Sequence, residues 1–328
     1  MNYRIIRLIV VAFLILIIAI AASEGTKDTE ISANKDVEVS KPTVYTKKTL
    51  DENAIDKEID KKTDTKADKR IESVQKNIEE RPKNSISAEA YIMGNLETGE
   101  IYAVQNSTAV FPIASLSKLV TALISLHTIP QDKEIVITES MLLAYGEAGH
   151  LKEGEIFKVN ELYYPLLLES SNDAAEALAQ TYGYVDFIKS MNLFVAELGM
   201  NYTSFKDASG LSSGNISNAN DLFTLAKYIY KNEKDLLSIT RMKSMYLSTT
   251  TLHNSHEWKT INPFAYDPNF IGGKTGRTIE AKESMISMFN YSYNNKIYPL
   301  VIIVLRSEFS DREKDSGMLF EKFIEKIH

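Results

Sequence analysis

Between Glu24 and Ser85 this chain cannot build a core. The stretch holds 15 acidic and 14 basic residues out of 62, and Tyr45 is its single aromatic. That composition buries too little apolar surface to offset the entropy lost on ordering. Residues 24–85 read as a charged, disordered linker of nearly balanced sign, neither a polybasic nor a polyanionic tail. As a flexible coil it would span on the order of 40–50 Å. Ile71, Val74 and Ile78 fall at i, i+3, i+7 and mark one short helix in it. A globular fold is left to Ile86–His328, 243 of the 328 residues.

The linker is preceded by residues 1–23, in which Arg4 and Arg7 flank an apolar run from Leu8 to Ala22. The run is close to the roughly 20 residues that span a bilayer. The positive flank holds the N-terminus inside and sends the rest outward. Ala19-Ile20-Ala21 has the small residues of a signal-peptide cleavage site. The run is longer than the usual cleaved apolar region, which favours a retained single-pass signal anchor. Either way the remainder is expected on the extracytoplasmic face of a membrane.

The chain has no cysteine, which excludes disulfides, thiolate metal sites and a cysteine nucleophile. Its net charge of −7 offers no electrostatic reason to expect nucleic acid. Within 86–328, Ala88–Asn95 and Ile101–Val104 around Glu97-Thr98-Gly99-Glu100 read as two strands. Leu119, Ala122, Leu123 and Leu126 share a face of a helix starting near Ala114. Residues 159–182 and 221–230 read as largely helical, 283–290 and 298–306 as strands, and 312–327 as a last helix. Strands at both ends with helices between predict an α+β domain whose termini meet in one antiparallel sheet.

Three short patterns carry chemistry. Ser115 and Lys118 are i and i+3 at a helix start, so they share a face. A serine hydroxyl needs a base, and a lysine whose pKa is depressed by burial can be that base. Alone the pattern is weak, since Ser32–Lys35 and Ser73–Lys76 match it inside the linker. Ser170-Ser171-Asn172 alone is a polar turn or helix cap, and Lys274-Thr275-Gly276 alone is a turn. In order they say more: 55 residues separate Ser115 from Ser170, and 102 separate Asn172 from Lys274.

The order and context of Ser-x-x-Lys, Ser-x-Asn and Lys-Thr-Gly resemble the penicillin-recognising serine hydrolases. The segments Pro112–Ala122, Glu161–Ala175, Asp207–Leu211 and Ser217–Leu222 are similar to those of the low-molecular-mass D-alanyl-D-alanine carboxypeptidases, serine peptidase family S11. That resemblance implies a β-lactamase/DD-peptidase-like fold. It implies Ser115 as nucleophile, Lys118 as general base and Ser170 as proton relay to the leaving amine. Asn172 would hold the substrate amide, and Lys274 would add positive potential beside Lys118. Thr275 and Gly276 would contact the substrate, with Thr275 binding its terminal carboxylate. The backbone N–H groups of Ser115 and Arg277 would form the oxyanion hole, and Arg312 would pair with the carboxylate. The implied reaction trims peptidoglycan stem peptides ending in D-Ala-D-Ala, with β-lactams as inhibitors, no cofactor and no metal.

The residue after Lys-Thr-Gly departs from the family pattern. It is Arg277, which could itself reach a carboxylate and share the work of Arg312. Only 16 residues follow Arg312, so the extra C-terminal β domain and membrane tail of many relatives are not expected. Rival readings are a D,D-endopeptidase using the same residues, a class A-like β-lactamase and a silent wall-binding module. No Glu-x-x-Leu-Asn lies between Asn172 and Lys274, which weighs against the β-lactamase. His253 and His256 read as ordinary loop histidines. Trp258, Met285 and Met288 read as core or sheet residues.

Overall fold

The computed structural model describes residues 85–146 and 148–327. The N-terminal apolar segment, the linker and the short helix expected at Ile71–Ile78 lie outside them. Among the described residues no helix is long and apolar enough to cross a membrane.

In chain order the strands are β1 (Ala90–Asn95), β2 (Ile101–Gln105), β3 (Phe111–Pro112), β4 (Glu134–Val136), β5 (Ile156–Lys158) and β6 (Ile216–Ser217). They continue with β7 (Ser244–Leu247), β8 (His256–Lys259), β9 (Phe270–Thr278), β10 (Lys282–Tyr293) and β11 (Lys296–Ser307). The helices are α1 (Lys118–Thr128), α2 (Val159–Leu168), α3 (Asn172–Tyr182), α4 (Tyr184–Glu197), α5 (Ala219–Asn232), α6 (Lys234–Thr240) and α7 (Arg312–Ile327).

Five strands form one antiparallel sheet in the order β2-β1-β11-β10-β9. The two ends of the domain thus share a sheet, as the strand pattern predicts. β11 explains its continuous apolar run by being covered on both sides. Its Val301, Ile303 and Leu305 face the core shared with the helical region. The alternate residues Leu300, Ile302 and Val304 join a second core with Leu319 and Phe323 of α7. Period-two alternation therefore divides one strand between two cores. α7 is tied to the chain entering β1 through buried Asp315, which accepts from Ser87 N and Ser87 Oγ, both at 2.7 Å.

On the other face α1 is buried almost all round from Lys118 to Ser125. Its polar side chains are satisfied: Thr121 Oγ1 donates to Ala208 O at 2.5 Å, and Ser125 Oγ lies 3.2 Å from Tyr163 Oη. The helical expectation for 159–182 resolves into α2 and α3. Pro165 sits inside α2, and Ser170 after it adopts φ +64°. Ser171 then caps α3, accepting from Ala174 N at 3.1 Å.

Two expectations need correction. Lys274-Thr275-Gly276 is not a turn but the middle of β9, paired with Ser284–Ile286 of β10. Gly276, like Gly272 and Gly273 before it, permits close backbone packing. Of the two histidines read as ordinary loop residues, His253 lies in a loop but is buried, and His256 is buried and begins β8. His253 stacks on Phe157 at 5.0 Å, while His256 stacks on Trp258 at 5.2 Å and contacts Glu155 Oε1 at 3.1 Å. Their polar neighbours in sequence concealed that packing.

Candidate active site

Ser115 lies in a 3-10 turn, Ala114–Ser117, that feeds directly into α1. Ala114 has φ +47°, an uncommon conformation for a residue with a Cβ. Two glycine-bearing segments close on this turn. A Cβ on Gly210 would stand 2.1 Å from Ala114 O, and one on Gly276 would stand 2.8 Å from Ile113 O and 3.3 Å from Ser115 N. Only residues without a side chain let the 207–212 loop and β9 approach so closely. β9 is thereby laid beside the Ser115 N–H.

Ser117 Oγ donates to Ala114 O at 2.7 Å and accepts from Asn215 Nδ2 at 3.0 Å, bracing the turn. The Ser115–Lys118 spacing then does what helical geometry predicts, with Lys118 Nζ 3.0 Å from Ser115 Oγ. Lys118 is completely buried. Its Nζ also donates to Asn172 Oδ1 at 2.7 Å and to Ser209 O at 2.5 Å. Burial pushes its pKa down to about 7, against the raising effect of the Asp207 and Glu176 carboxylates. A substantial fraction is therefore unprotonated near neutrality, as a base must be.

Asn172 is oriented from both ends of its amide: Oδ1 faces Lys118, and Nδ2 donates to Tyr145 O at 2.6 Å. The next residue, Asp173, is buried, and burial raises its pKa to about 6. Lys274 reaches the site from β9 and donates to Ser170 Oγ at 2.8 Å and to Thr275 O at 3.0 Å. It too is buried, at 1% exposure. Burial, then the nearby Lys118 and Arg312 cations, push its pKa well below the usual lysine value. The Lys118 cation thus disfavours a proton on Lys274.

Strand alternation sends Thr275 and Arg277 to the opposite side of β9 from Lys274. These groups line one groove of about 660 Å³. Ser115, Ser170, Asn172, Thr275, Gly276, Arg277 and Arg312 all open onto it. Tyr145, Leu211, Ile261 and Ile279 supply apolar walls. Arg312 begins α7, and its side chain is 14% exposed, against 65% for Arg277. Both face the buried carboxylate of Glu283 at 3.8 Å, and Arg312 Nε also donates to Glu313 Oε1 at 3.0 Å.

Sequence reasoning missed the Ser209 and Tyr145 carbonyls, because a backbone acceptor leaves no residue-type signal. It also passed over Glu283, which lies directly across from Arg277 in the β9–β10 register. Asp207 accepts from Gly210 N and Ser212 N, both at 2.5 Å, and so shapes the loop that presents Ser209 O. The Asp-Ala-Ser-Gly run carried that signal as an Asx-type turn. Among the described residues there is no group of three or more His, Asp or Glu side chains suited to a metal ion.

Residues 75–306 match the peptidase S11 family model, described as D-alanyl-D-alanine carboxypeptidase. The D-alanyl-D-alanine endopeptidase of Haemophilus influenzae is 34% identical over 164 residues, 49% of this chain and 56% of that protein. The D-alanyl-D-alanine carboxypeptidase DacF of Bacillus subtilis is 29% identical over 206 residues, 60% of this chain and 52% of the relative. The chain thus spans about half the length of these two curated relatives. Among solved structures, the Streptomyces K15 DD-transpeptidase superposes with a TM-score of 0.67 at 25% identity, covering 75% of this chain and 100% of that one.

Proposed function

Because the chain belongs to the peptidase S11 family of D-alanyl-D-alanine carboxypeptidases, we propose that it is a serine D,D-carboxypeptidase of peptidoglycan stem peptides. The observation that carries the reading is the contact of completely buried Lys118 with Ser115 Oγ at 3.0 Å.

In this reading the unprotonated Lys118 amine takes the Ser115 proton as Oγ attacks the carbonyl of the penultimate D-Ala. The developing oxyanion is met by the backbone N–H groups of Ser115 and Arg277. Ser170, bonded to Lys274, passes a proton to the leaving amine, and D-Ala departs. Asn172 holds the substrate amide, while Thr275 and Arg312 receive the terminal carboxylate. Water then attacks the acyl-enzyme with the same base and returns Ser115. β-Lactams enter by the same attack and stop at the ester.

The groove's exposed apolar walls favour a second reading alongside the first, cleavage of cross-links by the same residues. Tyr145 is 86% exposed at its edge and Ile279 also 86%, leaving room for a leaving group larger than D-Ala. The apolar N-terminal segment, retained as an anchor or cleaved as a signal, would deliver residues 86–328 to the extracytoplasmic face, where the linker gives them reach. N-terminal sequencing of the protein from its native membrane fraction tests the anchor: loss of residues 1–21 sinks it.

The test of the activity is intact mass of the full chain after brief exposure to benzylpenicillin, followed by assay of D-Ala release. A lasting adduct on Ser115, absent in Ser115→Ala, together with D-Ala release, is the expected result. Rapid penicillin hydrolysis without an adduct would make it a β-lactamase. A folded protein showing neither would leave only a wall-binding role.

A further inference from the structure

We infer that Glu169 is a positioning residue for Asn172, acting through the backbone on either side of it. This rests on the proposed function, in which Asn172 holds the amide of the substrate. Glu169 is not among the residues that line the groove, so it acts on the reaction only through other groups.

The two carboxylate oxygens of Glu169 serve two different segments. Oε2 accepts from Gly149 N at 3.0 Å, and Oε1 accepts from Lys259 N of β8 at 3.0 Å. Glu169 directly follows α2, where the chain turns sharply. Ser170 has φ +64°, and Ser171 caps α3 while its own N–H donates to Pro165 O at 2.9 Å. The turn that carries Asn172 into α3 is thus tied by one side chain to β8 and to Gly149.

Gly149 is gripped at each backbone group. Its N–H goes to Glu169, its carbonyl accepts from Trp258 Nε1 at 2.8 Å, and a Cβ on it would stand 2.5 Å from Ser171 Oγ. Four residues earlier in the chain, Tyr145 O accepts from Asn172 Nδ2 at 2.6 Å. Glu169 therefore joins the two stretches of backbone that meet at Asn172: the turn that bears its Cα and the connection that orients its amide. Hydrogen bonds to an ionised carboxylate are the stronger kind, which suits a link that must not slip. With alanine at 169 both N–H groups lose this acceptor. A drift of Asn172 on the order of 1 Å is enough to harm catalysis.

The test uses the full chain and two β-lactams: benzylpenicillin, and aminopenicillanic acid, the same nucleus without the side-chain amide that Asn172 would hold. The readout is the ratio of their Ser115 acylation rates, followed by intact mass. The ratio is internal to each variant, so a general loss of activity or stability cancels. In Asn172→Ala it should fall about 10-fold, the worth of one hydrogen bond to the amide. Glu169→Ala should reproduce most of that fall with Asn172 intact. Glu169→Gln keeps the shape and one of two acceptors, and its ratio should fall about 3-fold. An equal loss for both β-lactams in folded Glu169→Ala and Glu169→Gln, with the ratio of the parent kept, would make Glu169 a brace of the fold and overturn the inference alone. A parent ratio kept in Asn172→Ala would mean that Asn172 does not hold the amide, and the inference would fall with that assignment. No adduct from either β-lactam on the folded parent overturns the hydrolase reading and the inference with it.

Discussion

The two faces of the central sheet are built on opposite terms. The face toward α7 is apolar and aromatic: Tyr102, Tyr298 and Phe323 pack with ring centroids 4.7 and 5.7 Å apart, over Ile302 and Val304. Where the other face meets the Ser115 turn, it buries two lysine amines. It also holds Ala114 and Ser170 at positive φ and admits β9 only through glycine. Burying an amine and holding a residue in the left-handed region both cost free energy. The site is therefore a strained patch held in place by a conventional core, and stability and activity should respond to substitution on different faces.

The largest break in that comparison is Ser115→Ala. It should abolish penicillin acylation and lower peptide hydrolysis a thousandfold or more, on the order seen when a nucleophile is removed. Its melting temperature should stay within about 2 °C of the parent. Lys118→Met should lose on the order of 100- to 10,000-fold in acylation rate while leaving stability unchanged or higher, because a buried amine is gone. A melting temperature that collapses with Lys118 would show that the site is itself part of the core.

The opposite break is Phe323→Ala on the α7 face. It should cost about 3–5 kcal/mol in denaturant unfolding and leave the acylation rate of the folded protein within about 2-fold. A large catalytic loss below the unfolding transition would show that α7 positions Arg312 through this core.

The proton ledger of Lys118 sharpens the contrast. Acylation should rise with pH through about 7, the pKa that burial gives this amine, because the unprotonated form is the base. Stability should rise too between about 7 and 10.5: there the unfolded lysine binds a proton that the folded one lacks. Lys118→Met should flatten that segment of the stability curve. An acylation profile flat across neutrality would remove Lys118 as the base.

The smallest expected effect is Gly317→Ala. Gly317 lies inside α7, and a Cβ there would meet no atom within 4 Å. The change should stabilise the fold by about 0.5–1 kcal/mol through helix propensity, with activity untouched.

Sequence periodicity reached α1, α5 and α7, and the alternation of β11, because their faces are read by what they bury. It also reached Ser115 and Lys118 as a pair, since i, i+3 on one helix is local geometry. It failed at β9. Phe270-Ile271-Gly272-Gly273-Lys274-Thr275-Gly276 has the composition of a turn, and only its pairing with β10 and its packing on the Ser115 turn make it a strand. Trp258 is legible as a core or sheet residue, but His253 and His256 reveal nothing locally of the stacked layer they form with it and Phe157.

Residue order and type alone determined that the ends of the described domain share a sheet and which side chains are chemically equipped. Those properties follow from composition and from repeats of two and 3.6 residues, which are local. Only tertiary structure decided that Lys118 is buried and so basic at neutral pH. It alone turned Asn172 between Lys118 and Tyr145, and set Arg277 and Arg312 around one buried glutamate. Desolvation and charge pairing depend on groups that the chain brings together from as far apart as Lys118 and Asp207, or Glu283 and Arg312. No local pattern encodes such distances.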